Sequence, residues 1–286
     1  MIGGLRLKRA ERIAAITKIL CDNPGKIHTI GEFCEMLDSA RSSISEDIDR
    51  IQEAFEKLHM GKIRTISGAA GGIQYIPYVD LKYYENFAEH LCKILSQKER
   101  IISGNFIYTT DVIYNPQLVD KVAQILAYSF LNVEADYVVT IETKGIPIAF
   151  AVARLLKLPL AVIRQENKVT EGPVVSINYV SGSTRNIRTM YLSKKSIKMN
   201  SNVIIIDDFM KAGGTAKGIL DMMKEFDSRV VGIGVFIATK YPAEKLVSDY
   251  VSVLQLNTID EKKGIIDIQI GDWVKNFKKI EDFQLK

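Results

Sequence analysis

The chain has 286 residues, 47% of them apolar and 25% charged, with 19 Gly and 7 Pro; this is a globular composition and excludes collagen-like, disordered and disulfide-scaffold classes. Its longest apolar runs, 146–153 and 230–238, fall far short of the roughly 18 residues needed to cross a bilayer, and no continuous apolar stretch follows the basic N-terminus, so neither a membrane span nor a signal peptide is expected. Cys21, Cys34 and Cys92 are odd in number and widely spaced, which suits a reducing cytoplasm and gives no metal cluster. A net charge of +4 permits an anionic partner without requiring one, and over residues 1–78 cations barely outnumber acids. Pattern therefore has to carry the argument.

Ile13, Ile16, Thr17 and Leu20 recur at helical spacing and predict a first helix ending near Asn23-Pro24-Gly25. Ile30, Phe33, Cys34 and Leu37 repeat the stripe in a short second helix with Thr29 as N-cap. Ile44, Ile48, Ile51, Phe55 and Leu58 define a third, where Ser43 with Glu46 fits a capping box and Ser39 and Ser42 compete for the cap. Residues 62–67, a Gly-rich tip at 68–72 and residues 73–79 then read as a β-hairpin. Three short helices and a hairpin over residues 1–79 are the order of a winged helix-turn-helix, whose third helix enters the major groove through its N-terminal residues while phosphates anchor the rest. Arg41, Ser42, Ser43 and Ser45 are the residues expected at base edges, and Arg6, Lys8, Arg9, Lys62 and Arg64 at phosphates. Glu46, Asp47 and Asp49 on the same helix would oppose DNA, and a small protein-binding domain is the alternative for this segment.

Residues 80–286 form the second expected domain. Its first part, 80–104, is a connecting segment. Leu81, Tyr84, Phe87, Leu91 and Leu95 line one face of a helix over 80–97, mainly for core packing, and Lys98-Glu99-Arg100 closes it. From Leu118 onward helices alternate with strands at 137–141, 160–164, 203–206, 230–237 and 251–256, with helices at 145–156 and 215–226. An antiparallel pair, 174–180 with 188–192, flanks Ser181-Gly182-Ser183-Thr184. Apolar strands separated by amphipathic helices predict an α/β fold with a mostly parallel sheet covered on both faces. Ligands in such sheets bind beyond the carboxyl ends of the strands. The tail, 275–286, mixes Lys with Phe277, Ile280 and Phe283 and is expected to be a docked terminal helix; Trp273 has no assigned role.

One segment is more specific than the rest: Val203-Ile204-Ile205-Ile206-Asp207-Asp208-Phe209-Met210-Lys211-Ala212-Gly213-Gly214-Thr215. Four β-branched residues make a buried strand, two carboxylates sit at its carboxyl end, and a Gly-Gly-Thr loop opens a helix. Loop amides and a helix N-terminus can cradle a phosphate, and the acids can accept hydrogen bonds from vicinal hydroxyls. The order of acids and glycines fits neither a Walker loop nor a dinucleotide fingerprint.

This segment resembles the phosphoribosyl-pyrophosphate (PRPP) signature of type I phosphoribosyltransferases. The resemblance implies that Asp207 and Asp208 hold the ribose hydroxyls, and that the 5′-phosphate lies on Lys211, Ala212, Gly213, Gly214 and Thr215, with Phe209 and Met210 beside it. Glu142, Thr143, Lys144 and Gly145 are similar to the family's pyrophosphate loop, which often contains a non-proline cis peptide. Arg164 to Lys168 resembles the start of its flexible loop. A winged helix joined to such a domain resembles the purine operon repressors of Gram-positive bacteria over nearly the whole chain, most strongly at 42–47, 141–147, 167–172 with 176–182, and 207–215. That implies a cytoplasmic, homodimeric repressor that binds operator DNA, is induced by PRPP (arriving with Mg²⁺) and has no catalysis or dedicated metal site. The stress nucleotide ppGpp is a candidate competitor. The alternative is an active purine phosphoribosyltransferase with an accessory winged helix; no base-recognition segment is identifiable after Val230.

Overall fold

The structure, a computed structural model, describes residues 7–58, 60–68, 71–77, 80–131, 133–180 and 186–277. The chain divides after Asp80 into two compact units. The first contains helices α1 (Arg9–Asp22), α2 (Ile30–Leu37) and α3 (Arg41–Lys57), and strands β1 (Ile27–His28), β2 (Gly61–Ile66) and β3 (Gly72–Pro77). The expected helices and hairpin are present, and β1 adds a third antiparallel strand on the free edge of β3. Two residues are too short a run to show any periodicity, so sequence pattern gave no sign of it. Ile16, Leu20, Phe33, Leu37, Ile44, Ile48, Ile51 and Phe55 meet Ile63, Ile73 and Tyr75 in one core. The Thr29 hydroxyl accepts the Glu32 amide at 3.1 Å, as an N-cap should.

Helix α3 departs from expectation. It starts at Arg41 behind an Ala40 N-cap with no side-chain cap, so Ser43 lies inside the first turn and forms no capping box. Glu46 instead accepts from Arg9 at 3.1 Å. Asp47, expected among the acids opposing DNA, is fully buried, accepting from Arg9 Nε at 3.0 Å and Arg12 Nε at 2.8 Å. Its position explains this: three residues after Ile44 and four before Ile51, it falls on the apolar face and points at α1. Removing Asp47 takes two charge-assisted hydrogen bonds from the unit, but Arg9 (42% exposed) and Arg12 (15% exposed) reach solvent and keep Glu46 and the Leu7 carbonyl, so the cost is about 1–3 kcal/mol. Asp47→Ala is therefore expected to destabilise the first unit by that order in chemical denaturation followed by ellipticity, while Asp49→Ala, on the exposed face, shifts it by about 0.5 kcal/mol or less.

The second unit opens with α4 (Leu81–Leu95), a small hairpin of β4 (Ile101–Ile102) and β5 (Phe106–Ile107), α5 (Thr110–Ile113) and α6 (Pro116–Ser129). There follow β6 (Tyr137–Ile141), α7 (Gly145–Leu156), β7 (Leu160–Ile163), the hairpin β8 (Val174–Val180) and β9 (Ile187–Ser193), β10 (Asn202–Met210), α8 (Gly214–Lys224), β11 (Arg229–Thr239), β12 (Tyr250–Asp260) and β13 (Ile265–Ile270). The main sheet has the order β13-β12-β11-β10-β6-β7 and is parallel except for β13. On one face Val139, Ile163, Val203 and Ile205 pack with Ile219, Met222 and Met223 of α8 and with Tyr179 and Met190 of the β8–β9 hairpin.

The five positions expected on the apolar face of α4, Leu81, Tyr84, Phe87, Leu91 and Leu95, are all buried, so this helix is part of the core of the second unit. The Tyr84 hydroxyl donates to Gln124 at 2.8 Å, and the Tyr84 ring lies edge-on to Tyr128 and Phe277. Burial pushes the Tyr84 hydroxyl far above the usual tyrosine range. Trp273 is fully buried and donates Nε1–H to the Val253 carbonyl at 3.1 Å, which assigns it to this cluster. Arg100 grips Asp111 with two 2.8 Å hydrogen bonds, so Lys98–Arg100 is a braced turn. The 181–184 tip and the tail beyond Phe277 lie outside the described residues. Among those described, no helix is long and apolar enough to cross a membrane.

Candidate functional site

At the carboxyl ends of β10, β11 and β12 the first turn of α8 and the β4–β5 hairpin enclose a cavity of about 420 Å³. Its floor is the end of β10. That strand runs to Met210, four residues beyond the apolar run, because it stays paired with β11 through Asp207↔Val235, Phe209↔Ile237 and Met210↔Ala238. The acids are thus in the strand itself, where the backbone holds them rigidly. Asp207 is 7% exposed and accepts the Asp208 amide at 2.9 Å. Burial first, and then the neighbouring Asp208 charge, pushes the Asp207 carboxyl well above the usual range. Burial also raises Asp208, with the nearby Lys144 ammonium pulling the other way.

The loop after β10 turns at Gly213, whose φ of 79° is the left-handed conformation that glycine adopts without a steric penalty. Helix α8 begins at Gly214, so its first amides face the cavity beside Thr215. Asp207, Asp208, Phe209, Met210, Lys211, Ala212, Gly213, Gly214, Thr215 and Lys144 all line the cavity. Glu142, Thr143 and Gly145 do not. The Glu142–Thr143 peptide is cis, and the Glu142 carboxylate is occupied by Arg164 Nη1 at 3.2 Å and the Gln165 amide at 2.7 Å. Gly145 packs beneath the acids against Thr140 and Asp207.

Arg164, expected to open a flexible loop, is fixed: its Nε meets Glu171 at 3.2 Å and its backbone pairs with Tyr191 in both directions at 2.8 Å. Lys168 is exposed and outside the cavity lining. The rest of the lining includes residues that sequence reasoning did not assign: Phe106, Ile107, Tyr241, Leu256, Asn257 and Ile259 among them. The strand-end rule could have found Tyr241, which follows β11, and 257–259, at the end of β12, since β11 pairs in parallel with β10 and β12 pairs in parallel with β11. Nothing in the sequence pointed to the two-residue strands of the β4–β5 hairpin. No group of three metal-ligating side chains occurs among the described residues.

In the first unit Arg41 and Ser42 are exposed at the start of α3, with Ser43 and Ser45 half-buried beside them. Lys62 and Arg64 alternate with buried Ile63 and so share the outer face of β2. Lys8 is exposed, whereas the Arg9 guanidinium, expected at phosphate, is committed to Glu46 and Asp47. Arg6 lies outside the described residues.

Comparison with known proteins divides the chain at the same place. Residues 8–77 match the family described as bacterial purine repressor, N-terminal, and residues 109–271 match the phosphoribosyl transferase domain. The purine biosynthesis transcriptional repressor PurR of Bacillus subtilis (strain 168) is 43% identical over 96% of this chain and 96% of its own length. The purine biosynthesis transcriptional activator PurR of Lactococcus lactis subsp. lactis (strain IL1403) is 36% identical over 93% of this chain and 98% of its own. A crystal structure of adenine phosphoribosyltransferase from Saccharomyces cerevisiae shares the fold of the second unit, with a TM-score of 0.51 at 22% identity over 58% of this chain and 98% of that one.

Two substitutions test the construction of the cavity floor. A Cβ at Gly145 would lie 2.5 Å from Thr140 Oγ1 and 3.1 Å from Asp207 Oδ1, so Gly145→Ala is expected to destabilise the unit by about 1–3 kcal/mol in thermal or denaturant unfolding. Asp207→Asn has the opposite expected sign at neutral pH. A carboxyl raised by folding costs nothing below its unfolded pKa of roughly 4; the penalty grows as pH rises from there through the raised value. Asp207→Asn should therefore melt a few degrees higher than the native protein at pH 7.5, with the gain shrinking towards roughly pH 4, as followed by calorimetry.

Proposed function

The chain belongs to the PurR family of purine biosynthesis transcriptional regulators, and on that premise we propose that PRPP is the ligand of its cavity and that PRPP binding lowers affinity for operator DNA. The protein is a DNA-binding transcriptional repressor of purine synthesis, the sense carried by its relative at 43% identity. Its phosphoribosyltransferase-like unit serves regulation, since the relatives that share the whole chain are regulators and not transferases.

The observation that carries the ligand assignment is the adjacency, in one cavity, of the Asp207–Asp208 pair and the Lys211–Thr215 loop at the α8 N-terminus. Vicinal hydroxyls donate to the carboxylates, and a phosphate is held by loop amides and the positive end of the helix. Lys144, on the far side of the acids, would meet the pyrophosphate. Mg²⁺ binds largely through ligand oxygens and water, which suits a site with two adjacent acids beside which the described residues place no third His, Cys, Asp or Glu. Glu142, Thr143 and Gly145 act one layer out, by fixing the loop that presents Lys144. A nucleotide bearing 5′- and 3′-phosphates, such as ppGpp, would compete by using the same acids and amides, with its ring against Phe106, Tyr241 and Leu256.

On the DNA side, Arg41, Ser42, Ser43 and Ser45 are assigned to base edges and Lys8, Lys62 and Arg64 to phosphates. A homodimer acting in the cytoplasm would place two such helices on operator half-sites. PRPP shifts the equilibrium only by its preference for the conformation that binds DNA poorly, so operator DNA must weaken PRPP binding by the same factor.

Fluorescence anisotropy with promoter DNA of purine synthesis genes, at fixed salt, tests this reading. Native protein is expected to bind far better than to random DNA and to release on addition of Mg²⁺–PRPP. Asp207→Ala with Asp208→Ala should bind the same DNA and lose the PRPP response. A double variant that still responds normally overturns the site.

A further inference from the structure

The loop assigned to the 5′-phosphate does not hold its own shape. Thr239, at the end of β11, and the segment 240–247 that follows are strapped against it, with Thr239 and Tyr241 in the cavity lining and Lys245 and Leu246 outside it. The Lys245 ammonium donates to the Lys211 carbonyl at 2.5 Å and to the Pro242 carbonyl at 3.3 Å, and stands 3.5 Å from the Thr239 hydroxyl. The Thr239 hydroxyl is itself 3.1 Å from the Lys211 carbonyl. The next carbonyl along, that of Ala212, accepts the Leu246 amide at 2.9 Å. The same strap lies close on Gly213, where a Cβ would come within 3.3 Å of Leu246 N.

A trans peptide is planar, with its C=O and the following N–H pointing in opposite directions. Holding the Lys211 and Ala212 carbonyls outward therefore turns the Ala212 and Gly213 amides inward, towards the cavity that both residues line. Successive inward amides form an anion-binding concavity. We propose that Lys245 is the positioning residue of the phosphate site: it does not touch the ligand, but through the Lys211 carbonyl it orients the amides that do. Its cation also adds to the positive potential behind the phosphate, and partial burial already lowers its pKa below the usual lysine range, as expected of an ammonium held away from water. This inference rests on the reading of the cavity as a PRPP site.

The test separates the two ends of that ligand. Binding of ribose 5-phosphate and of Mg²⁺–pyrophosphate is measured by calorimetry or by competition with labelled PRPP, for native protein, Lys245→Met and Lys245→Arg. Lys245→Met is expected to weaken ribose 5-phosphate by roughly three- to tenfold, the range for one amide–phosphate hydrogen bond left poorly oriented, and to leave pyrophosphate unchanged. Lys245→Arg should recover most of the loss. Unchanged ribose 5-phosphate affinity in Lys245→Met, or equal loss of both ligands, overturns the assignment. A native protein that binds PRPP nowhere near this cavity, or not at all, sinks the ligand reading itself. Amide NMR of the native protein gives a check independent of any variant. Ribose 5-phosphate should move the Ala212 and Gly213 N–H signals downfield, and signals that stay still count against the proposal.

Discussion

Placing two adjacent carboxylates at the end of the central strand of a parallel sheet is unfavourable, and much of the second unit is arranged around that placement. Asp207 has apolar β-branched residues before it, a backbone amide on one oxygen and Gly145 packed against it, and its burial makes the charged form costly. Perturbed carboxyls of this kind cluster at functional sites, and hydroxyl donors and a cation brought by the proposed ligand would give the acids the partners that the folded protein withholds. The fold fixes the backbone of the pair by continuing β10 through both residues beside β11, with Asp207 buried and Asp208 half-buried.

From this floor the cavity is electrically divided. Its α8 end presents amides and a helix N-terminus, and the end of β10 presents the acids, with the Lys144 ammonium close to Asp208. A ligand with hydroxyls between two phosphorylated ends matches this sequence of charges. The supports lie outside the lining. Arg164 ties Glu142 to Glu171 and so links the loop before α7 to the base of the β8–β9 hairpin. Lys245 does the corresponding job behind the Lys211–Thr215 loop. Both are cations spent on protein oxygens, which distinguishes positioning groups from ligand contacts.

The first unit uses a buried charge differently. Asp47 sits on the apolar face of α3 and fastens it to α1 through Arg9 and Arg12. Its neighbours on the outer face, Arg41 and Ser42, are left exposed. One helix therefore carries both a buried anchor and an exposed polar end, separated by the helical period. Arg9, which charge alone suggested for phosphate, belongs to the anchor.

Local pattern in the sequence was enough to find the three helices and hairpin, the alternating second half, the acid pair and the glycine loop, because each depends on periodicity or on a short continuous motif. The Thr29 cap and the buried face of α4 were equally legible. What the sequence could not reveal depends on residues far apart in the chain. The β1 and β4–β5 strands are two residues long and exist only through their partners. The carboxyl ends of β11 and β12 become cavity wall only once the sheet order brings them beside β10. Asp47 and Arg164 changed role because a charge on an apolar face, or at a strand end, is defined by what packs against it. The chemistry of the site was written locally; which groups touch the ligand and which hold those groups in place was decided by tertiary packing, since only packing determines where each donor and acceptor finds its partner.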